Sequence, residues 1–319
     1  MPLRRSLVAA ALSLGMLSSA CSGSDNPNVS TLSGSTAAPS LAASVASSDL
    51  WANAPQRFEL GVFSSDDQGV KLLTFGTVDF AFSFLGDGSG SPQAGPTATG
   101  TYLATFGTPP EGPAPTFSAP SDARGVYQAN VTFDRPGVWQ VDTTIDVPGS
   151  GAQTLNSQFQ VAKTTSLPAP GDEAPRTENL TMDSKGVPTS AIDSRALDGA
   201  AVPDPDLHQT TIADAIAAHR PVVLILATPS YCQSQFCGPE VDGVEALAKQ
   251  YGDKAVFIHI EIWRNFNKSV INQAAADWLL RNNDLTEPWL YLIGADGVIA
   301  DLWGPLFDQA EVAKELAAL

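Results

Sequence analysis

Apolar and polar positions alternate through the first half of the chain and gather into longer apolar runs in the second half. Between Trp51 and Lys163, seven segments rich in apolar or aromatic residues are separated by turns of glycine, proline and aspartate. In residues 78–84, VDFAFSF, apolar side chains fall at every second position, so one face of a strand is buried and the other is solvated. The pattern predicts an all-β antiparallel sandwich over residues 51–164.

After residue 196 the pattern changes to strands that alternate with helices. Val222 to Ala227 is a short, β-branched run typical of a buried strand, and residues 237–251 carry apolar positions at helical spacing. The order helix–strand–helix–strand–helix–strand–strand–helix predicts an α/β domain over residues 197–319, with a mixed sheet flanked by helices. Residues 165–196, rich in Pro, Ser, Thr and Asp, are predicted to link the two domains.

The ending of the first domain carries a resemblance. Asp134-Arg135-Pro136-Gly137 and the strand-like run after it resemble the strand–turn–strand ending of bacterial immunoglobulin-like domains. The resemblance implies that the sandwich is of immunoglobulin-like type. Residues 51–164 contain no histidine and no cluster of metal ligands, so we expect a spacer or docking module here rather than an enzyme.

Charge and length exclude some functions. The 319 residues include 17 basic and 34 acidic side chains, and the net charge of −17 argues against nucleic-acid partners and against binding anionic lipid by charge. The length suits two domains plus tails. The sequence offers no phosphate loop, dinucleotide fingerprint or zinc spacing, so no small-molecule cofactor is expected.

The N-terminus points to export. A basic pair, Arg4-Arg5, precedes an apolar run from Leu7 to Leu17 that is too short to span a bilayer. Leu17-Ser18-Ser19-Ala20-Cys21 then resembles a bacterial lipoprotein cleavage box. The resemblance implies a signal peptide over residues 1–20, acylation of Cys21 with palmitate-type chains, and a lipid-anchored location on the extracytoplasmic face of the cell membrane. An ordinary cleaved secretory peptide that leaves Cys21 free is the alternative.

The two other cysteines are the main chemical signal. Residues 21–50 are predicted to be a flexible tether, and the chain beyond them would face an oxidising compartment. Cys232 and Cys237 are then the remaining thiols, and we expect an intramolecular disulfide between them. They lie where a strand leads into the first turn of a helix, whose N-terminus favours a thiolate, although Glu240 and Asp242 oppose this by charge repulsion.

This cysteine turn also carries a resemblance. Phe236-Cys237-Gly238-Pro239, between such a strand and such a helix, resembles the active-site turn of the thioredoxin superfamily, and the resemblance continues through residues 255–263 and 288–292. It departs from that family in having four residues between the cysteines instead of two. The resemblance implies a thioredoxin-like fold for residues 197–319, a redox-active cysteine pair, and a cis-proline at Pro288 lying against it.

The cysteine pair suggests two hypotheses for the function. The leading hypothesis is a thiol–disulfide oxidoreductase or redox sensor, in which a protein partner with a thiol or disulfide meets Cys232, Cys237 and Pro288. The helix end favours Cys237 as the attacking sulfur. The second hypothesis is a non-catalytic envelope scaffold with a structural disulfide.

Copper binding is the third hypothesis. Two thiolates and one imidazole suit Cu(I), which makes Cys232, Cys237 and His259 candidate ligands. His259 is chosen because its strand neighbours the one that enters the thiol loop. Its alternative interpretation is a hydrogen-bonded histidine packed on a sheet face. His208 and His219 are interpreted as linker and helix-end residues.

Overall fold

The structure is a computed structural model that describes residues 40–67, 69–112, 114–147 and 151–319. Of these residues, 41% lie in strands or bridges and 19% in helices. The predicted signal peptide, Cys21 and most of the predicted tether lie outside the described residues. Within the described ranges, no helix is long and apolar enough to cross a membrane.

The elements follow in chain order. The strands are β1 (Ser40–Val45), β2 (Pro55–Asp66), β3 (Gly69–Thr74), β4 (Thr77–Gly86), β5 (Gln93–Ala104), β6 (Thr116–Ser118), β7 (Gly125–Thr132), β8 (Gly137–Val147), β9 (Gly151–Val161), β10 (Val222–Ala227), β11 (Val256–Glu261), β12 (Trp263–Asn265), β13 (Val270–Ile271), β14 (Trp289–Ile293) and β15 (Ile299–Trp303). The α-helices are α1 (Ile212–Ala217), α2 (Cys237–Tyr251), α3 (Gln273–Leu279) and α4 (Gln309–Ala318). Short 3₁₀ turns occupy Thr189–Ala191, Leu197–Gly199, Pro205–His208 and Phe266–Lys268.

The first nine strands form one large antiparallel sheet. Its order is β6-β3-β2-β7-β5-β4-β8-β9, and β1 pairs with β2 outside this path. The predicted antiparallel, strand-rich half is therefore confirmed. In β4, Val78, Phe80 and Phe82 are buried and the residues between them are exposed, as the period of two predicts. Phe58 completes the aromatic centre of this core, with its ring centroid 5.4 Å from Phe80 and 4.9 Å from Phe82.

Two strands lie where the sequence predicted none. β1 falls inside the predicted tether, and its six residues pair with β2 along their whole length. β6 falls in a predicted Gly/Pro loop and pairs with β3. Both are short segments held by backbone hydrogen bonds, and each has too few large apolar residues to show a strand period in the sequence.

The second sheet has four strands in the order β11-β10-β14-β15. β10 runs parallel to β11 and antiparallel to β14. All six residues of β10 are buried: Val223 and Ile225 pack in the core with α2 and α4, while Val222 and Leu224 pack in the core with α1 and α3. Because helices cover both faces, the strand is apolar throughout. The predicted order of helices and strands is confirmed, with the hairpin β12–β13 added.

The predicted linker is not free of the fold. Leu167 and Ala174 are buried in the core of the second sheet. The backbone N–H of Gly171 donates to Ile299, and that of Ala174 donates to Gly297, so the segment follows β15. Its apolar positions are too sparse to indicate this docking from sequence.

The two sheets belong to one compact unit and contact each other. Arg57 on β2 forms ion pairs with Asp301 at 2.6 Å and Glu311 at 2.8 Å, and its guanidinium lies 4.7 Å from the ring centroid of Trp303. Beside it, the buried carboxyl of Glu59 accepts a hydrogen bond from the backbone N–H of Leu306 at 3.2 Å. These contacts fasten β2 to the end of the second sheet.

Candidate functional site

Cys232 and Cys237 form a disulfide in the loop between β10 and α2, with their Cα atoms 6.0 Å apart. The predicted disulfide is therefore confirmed. Cys237 is the first residue of α2 and is fully buried, whereas Cys232 is half-buried. The backbone N–H of Cys237 points to Cys232 Sγ at 3.4 Å. The two sulfurs thus differ sharply in access to solvent.

A carboxyl group lies beside the buried sulfur. Glu287 Oε2 is 3.7 Å from Cys237 Sγ and accepts a hydrogen bond from the backbone N–H of Thr228 at 2.7 Å. Burial raises the pKa of Glu287 to about 8, and the Thr228 N–H offsets only part of this rise. Glu287 was not predicted as a site residue from the sequence. The feature that could have indicated it is an acidic residue directly before Pro288 and an apolar strand.

Pro288 lies in the same groove as Cys232. The Glu287–Pro288 peptide is cis. The groove has a volume of about 530 Å³, and Cys232, Glu287 and Pro288 all line it. Its lining residues are mostly apolar or aromatic, so it suits an apolar ligand segment.

Three aromatic side chains, Tyr231, Trp263 and Phe266, form an aromatic wall of the groove beside the half-buried Cys232. The rings of Tyr231 and Phe266 stack with centroids 3.9 Å apart and planes inclined by 2°, and Trp263 meets Phe266 edge-on at 5.5 Å. Phe266 is 42% exposed although it is large and apolar. An exposed stack of aromatic rings is a feature of binding surfaces.

The acidic residues in the first turn of α2 are not free charges. Glu240 is buried, and this burial raises its pKa well above the usual range. Asp242 forms an ion pair with Arg195 at 2.9 Å. The charge repulsion expected against Cys237 is thus weakened, because Glu240 favours its neutral form and Asp242 has a cationic partner.

His259 does not join the cysteines. Its Nε2 lies 3.1 Å from the carbonyl oxygen of Ala227, and its Nδ1 lies 3.4 Å from Asp204. Among the described residues, the one group of His, Cys, Asp and Glu close enough to share a metal ion contains neither cysteine. The predicted copper ligand set of Cys232, Cys237 and His259 is therefore not assembled, because the sulfurs are bonded to each other and the imidazole faces a carboxylate cluster.

That cluster consists of Asp193, Asp204, His208 and His259, all buried. Burial lowers the pKa of His208. For His259 burial acts in the same direction, but the carboxylates of Asp204 and Asp193 outweigh it and raise the pKa. The pKa of Asp204 is lowered against the effect of burial by both imidazoles. The cluster was not predicted from the sequence, because Asp193, Asp204 and His208 lie in a segment without a strong periodic pattern and His259 joins them from β11.

Comparisons with known proteins give little guidance. No family model matches the chain, and no curated protein matches it. Among solved structures, the chain is similar to the CARDB domain of a Pyrococcus furiosus protein in complex with di-metal ions, at 14% identity over 44% of this chain and 98% of that one. The TM-score is 0.22, which is too low for this similarity to support a conclusion about fold or function.

The predicted membership of the thioredoxin superfamily is therefore wrong. No member of that superfamily matches the chain, and the described residues hold about twice as much strand as helix, 41% against 19%. The physical reason is that Phe236-Cys237-Gly238-Pro239 determines only a short strand–loop–helix segment, which unrelated chains can share. What the second half does contain is a four-stranded sheet in the order β11-β10-β14-β15, with helices packed on both faces.

Proposed function

We propose that the Cys232–Cys237 disulfide exchanges with thiols of a partner protein outside the cytosol. The observation that carries this proposal is the asymmetry of the pair. Cys232 lines an open apolar groove, while Cys237 is buried at a helix N-terminus with the Glu287 carboxyl 3.7 Å from its sulfur. An accessible sulfur to attack and a stabilised sulfur to leave are the two requirements of exchange.

The first step is attack by a partner thiolate on Cys232 Sγ. A new disulfide forms between the partner and Cys232, the Cys232–Cys237 bond breaks, and its electron pair stays on Cys237. The N-terminus of α2 stabilises the resulting thiolate. Glu287 is protonated at neutral pH because its pKa is about 8, and it donates a proton to this sulfur.

The second step releases the partner and leaves the chain reduced. A second partner thiolate attacks the partner's sulfur in the mixed disulfide and expels Cys232 as a thiolate, which takes a proton from solvent. The partner leaves as a disulfide, and the chain keeps two thiols. Overall, two electrons and two protons pass from the partner to the chain, and the reverse sequence oxidises a partner dithiol.

Burial supports Cys232 as the sulfur that meets the partner. The sequence hypothesis favoured Cys237 from the helix end alone, but a fully buried sulfur is poorly placed for an in-line approach by an external thiolate. The helix end acts on the leaving sulfur instead. The aromatic wall of Tyr231, Trp263 and Phe266 supports an apolar partner segment next to the cysteine.

The remaining parts of the proposal rest on sequence and on the coarser fold. The lipoprotein-like segment ending at Cys21 supports a membrane anchor on the extracytoplasmic face. The seven-segment pattern and the aromatic core support an immunoglobulin-like arrangement of the large sheet, which would act as a docking or spacer module. Its firm contact with the second sheet through Arg57 supports a role in holding the groove in place.

A scaffold with a structural disulfide is the second candidate, and the complete burial of Cys237 favours it. The equilibrium between the full chain and glutathione separates the two functions, read by alkylation and mass spectrometry. We expect half-reduction within the range of cellular glutathione buffers. A disulfide that stays closed below about −300 mV would instead identify a structural cross-link.

Trapping tests the order of the sulfurs. Cys237→Ser leaves Cys232 free in the groove, and we expect it to accumulate mixed disulfides with apolar thiol peptides. Cys232→Ser leaves a buried thiol and is expected to trap at least tenfold less. Trapping by Cys232→Ser alone would reverse the proposed roles, and equal trapping by both variants would contradict the proposed asymmetry.

The proton donor is tested by Glu287→Gln, which should slow reduction of the Cys232–Cys237 disulfide about tenfold near pH 7.

A further inference from the structure

Two of the three histidines of the chain meet two aspartates in the interior of the second half. Asp204 precedes the 3₁₀ turn Pro205–His208 and His208 is its last residue, Asp193 lies in the segment before the turn, and His259 lies in the middle of β11. Their ligand atoms all lie within 4.8 Å of one another. We propose that these four residues bind one divalent transition-metal ion of the zinc class, at a site separate from the disulfide.

Three distances between the ligand atoms are compatible with coordination of one tetrahedral ion. His259 Nδ1 lies 3.4 Å from Asp204 Oδ2 and 3.5 Å from Asp193 Oδ2, and His208 Nε2 lies 3.2 Å from Asp204 Oδ1. A tetrahedral Zn²⁺ with ligands at about 2.0–2.1 Å holds them about 3.3–3.4 Å apart. The His208–Asp204 contact lies at the long end of the range of hydrogen bonds between nitrogen and oxygen, about 2.7–3.2 Å, and the two His259 contacts lie beyond that range.

The orientation of His259 is an independent observation. The side chain is 0% exposed, and its Nδ1 has no hydrogen-bond partner in the described part of the chain. Its other ring nitrogen, Nε2, lies 3.1 Å from the carbonyl oxygen of Ala227 and can donate to it. Metal-bound histidines are held in this way, with one nitrogen donating to a backbone carbonyl and the other directed at the ion.

Arg195 occupies the outer side of the cluster. Its Nη2 lies 2.7 Å from Asp193 Oδ2 and 2.9 Å from Asp204 Oδ2, and its side chain is 24% exposed. An entering cation would move the guanidinium away from Asp204, while its Nε and Nη2 contacts with Asp193 can remain. Arg195 thus supplies the charge balance without an ion and marks the path by which an ion enters.

The donor set determines the class of metal. Two imidazoles and two carboxylates provide nitrogen and oxygen ligands without sulfur, which suits Zn²⁺, Co²⁺, Ni²⁺ and Cu²⁺ and disfavours Cu(I). This set therefore differs from the copper hypothesis drawn from the sequence. It shares only His259 with that hypothesis.

The test uses the full chain with its disulfide closed, stripped of metal with a chelator and then titrated with Zn²⁺ against a chromophoric competitor. We expect one equivalent per chain. His259→Gln and His208→Gln should each weaken binding at least tenfold, whereas His219→Gln, which removes the third histidine, should leave it unchanged. Cys232→Ser/Cys237→Ser should also leave it unchanged, which separates this site from the disulfide.

X-ray absorption of the Zn²⁺-loaded wild-type chain tests the ligands without any variant. We expect two imidazoles and two oxygen ligands and no sulfur. Failure of the stripped chain to take up an equivalent of Zn²⁺ would overturn the proposal and leave a plain ion network with Arg195. Uptake that survives in both His259→Gln and His208→Gln, or a spectrum with sulfur ligands, would also overturn it. The glutathione equilibrium tests the disulfide separately, so the two proposals fail independently.

Discussion

The two sheets bury different kinds of side chain. Among the described residues, the large sheet buries a single charged side chain, Glu59, and a few neutral polar ones such as Thr74 and Thr143, while its hydrophobic core is aromatic and aliphatic. The second half, whose main sheet has four strands, buries six: Asp193, Asp204, His208, Glu240, His259 and Glu261. In strands such as β4 the large sheet has a solvent-facing side for polar groups, whereas helices cover both faces of the second sheet.

This difference between the two halves coincides with the location of the two proposed sites. Buried ionisable groups are costly unless they are paired, so their concentration in one half requires a reason. Thr228 directly follows β10 and Glu261 ends β11, and these two strands are parallel. Sites in sheets with parallel strands form beyond the carboxyl ends of those strands. The disulfide and the His/Asp cluster both border this edge, whereas the large sheet provides support.

The largest effect is expected from the aromatic core of the large sheet. Phe58 is fully buried against Phe80 and Phe82, so Phe58→Ala should lower the free energy of unfolding by about 3–5 kcal/mol. Chemical denaturation measures this change. Val70→Ala, at a 53% exposed position, is the control and should stay within about 0.5 kcal/mol. If Phe58→Ala also changed the glutathione equilibrium of the folded fraction, the division into support and chemistry would break down.

The contact between the sheets should have the next largest effect. Arg57→Ala removes charge-assisted bonds to Asp301 and Glu311 and should lower the free energy of unfolding by about 2 kcal/mol. The matched control is Arg135→Ala. That arginine pairs with Asp134 where both side chains are about half exposed, so the change should be below about 1 kcal/mol. Equal losses in the two variants would mean that the contact adds no more than a surface ion pair.

The exception in the large sheet, Glu59, should appear in the pH dependence of stability. Burial raises its pKa from 4.5 to about 8 in the folded chain. The folded chain therefore holds the proton more tightly, and the resulting stability is complete below about pH 4.5 and is lost as the pH rises through 8. One such group changes the free energy of unfolding by at most about 1.4 kcal/mol per pH unit.

Glu59→Gln should flatten this part of the profile. The measurement is the difference between wild type and variant from pH 5 to 9, because Glu240 and Glu287 have raised pKa values too and contribute with the same sign. A difference that does not change with pH would show that Glu59 is ionised in the fold.

The smallest effect is expected in the groove. Phe266→Ala removes the ring stacked on Tyr231, an interaction of about 0.5–1.5 kcal/mol. Exchange with an apolar thiol peptide should slow roughly threefold to tenfold, while exchange with glutathione should not change. Val70→Ala again serves as the control. A uniform slowing with both thiols would assign the ring to the shape of the loop instead of to partner binding.

Much of the secondary structure followed from periodicity. The alternation through β4 and the unbroken apolar run of β10 each report a local burial pattern, and both strands form as predicted. β1 was missed because Ser, Ala and small apolar residues give no strong period, and its pairing with β2 is a non-local backbone effect. The first part of β5, from Gln93, was missed for the same reason.

The site was predictable only in its local part. Cys232 and Cys237 lie five positions apart at a strand–helix junction, so the sequence alone indicates that they meet. Glu287 reaches the buried sulfur from 50 positions away, and His259 reaches Asp204 across 55 positions. Contacts of this kind depend on the order of strands in the sheet, which the local motif near Cys237 did not determine and for which it suggested the wrong family.

The edge strand β1 gives the groove a mechanical connection. Ala46 and Ser48 lie within three residues of the end of β1 and form part of the groove wall beside Cys232. Tension applied to the chain ahead of Ser40 would load the backbone hydrogen bonds that hold β1 on β2 and, if these gave way, would peel that wall from the groove. Exposure of Cys232 would in that case respond to a pulling force, with the β1–β2 pairing as the first contact to resist it.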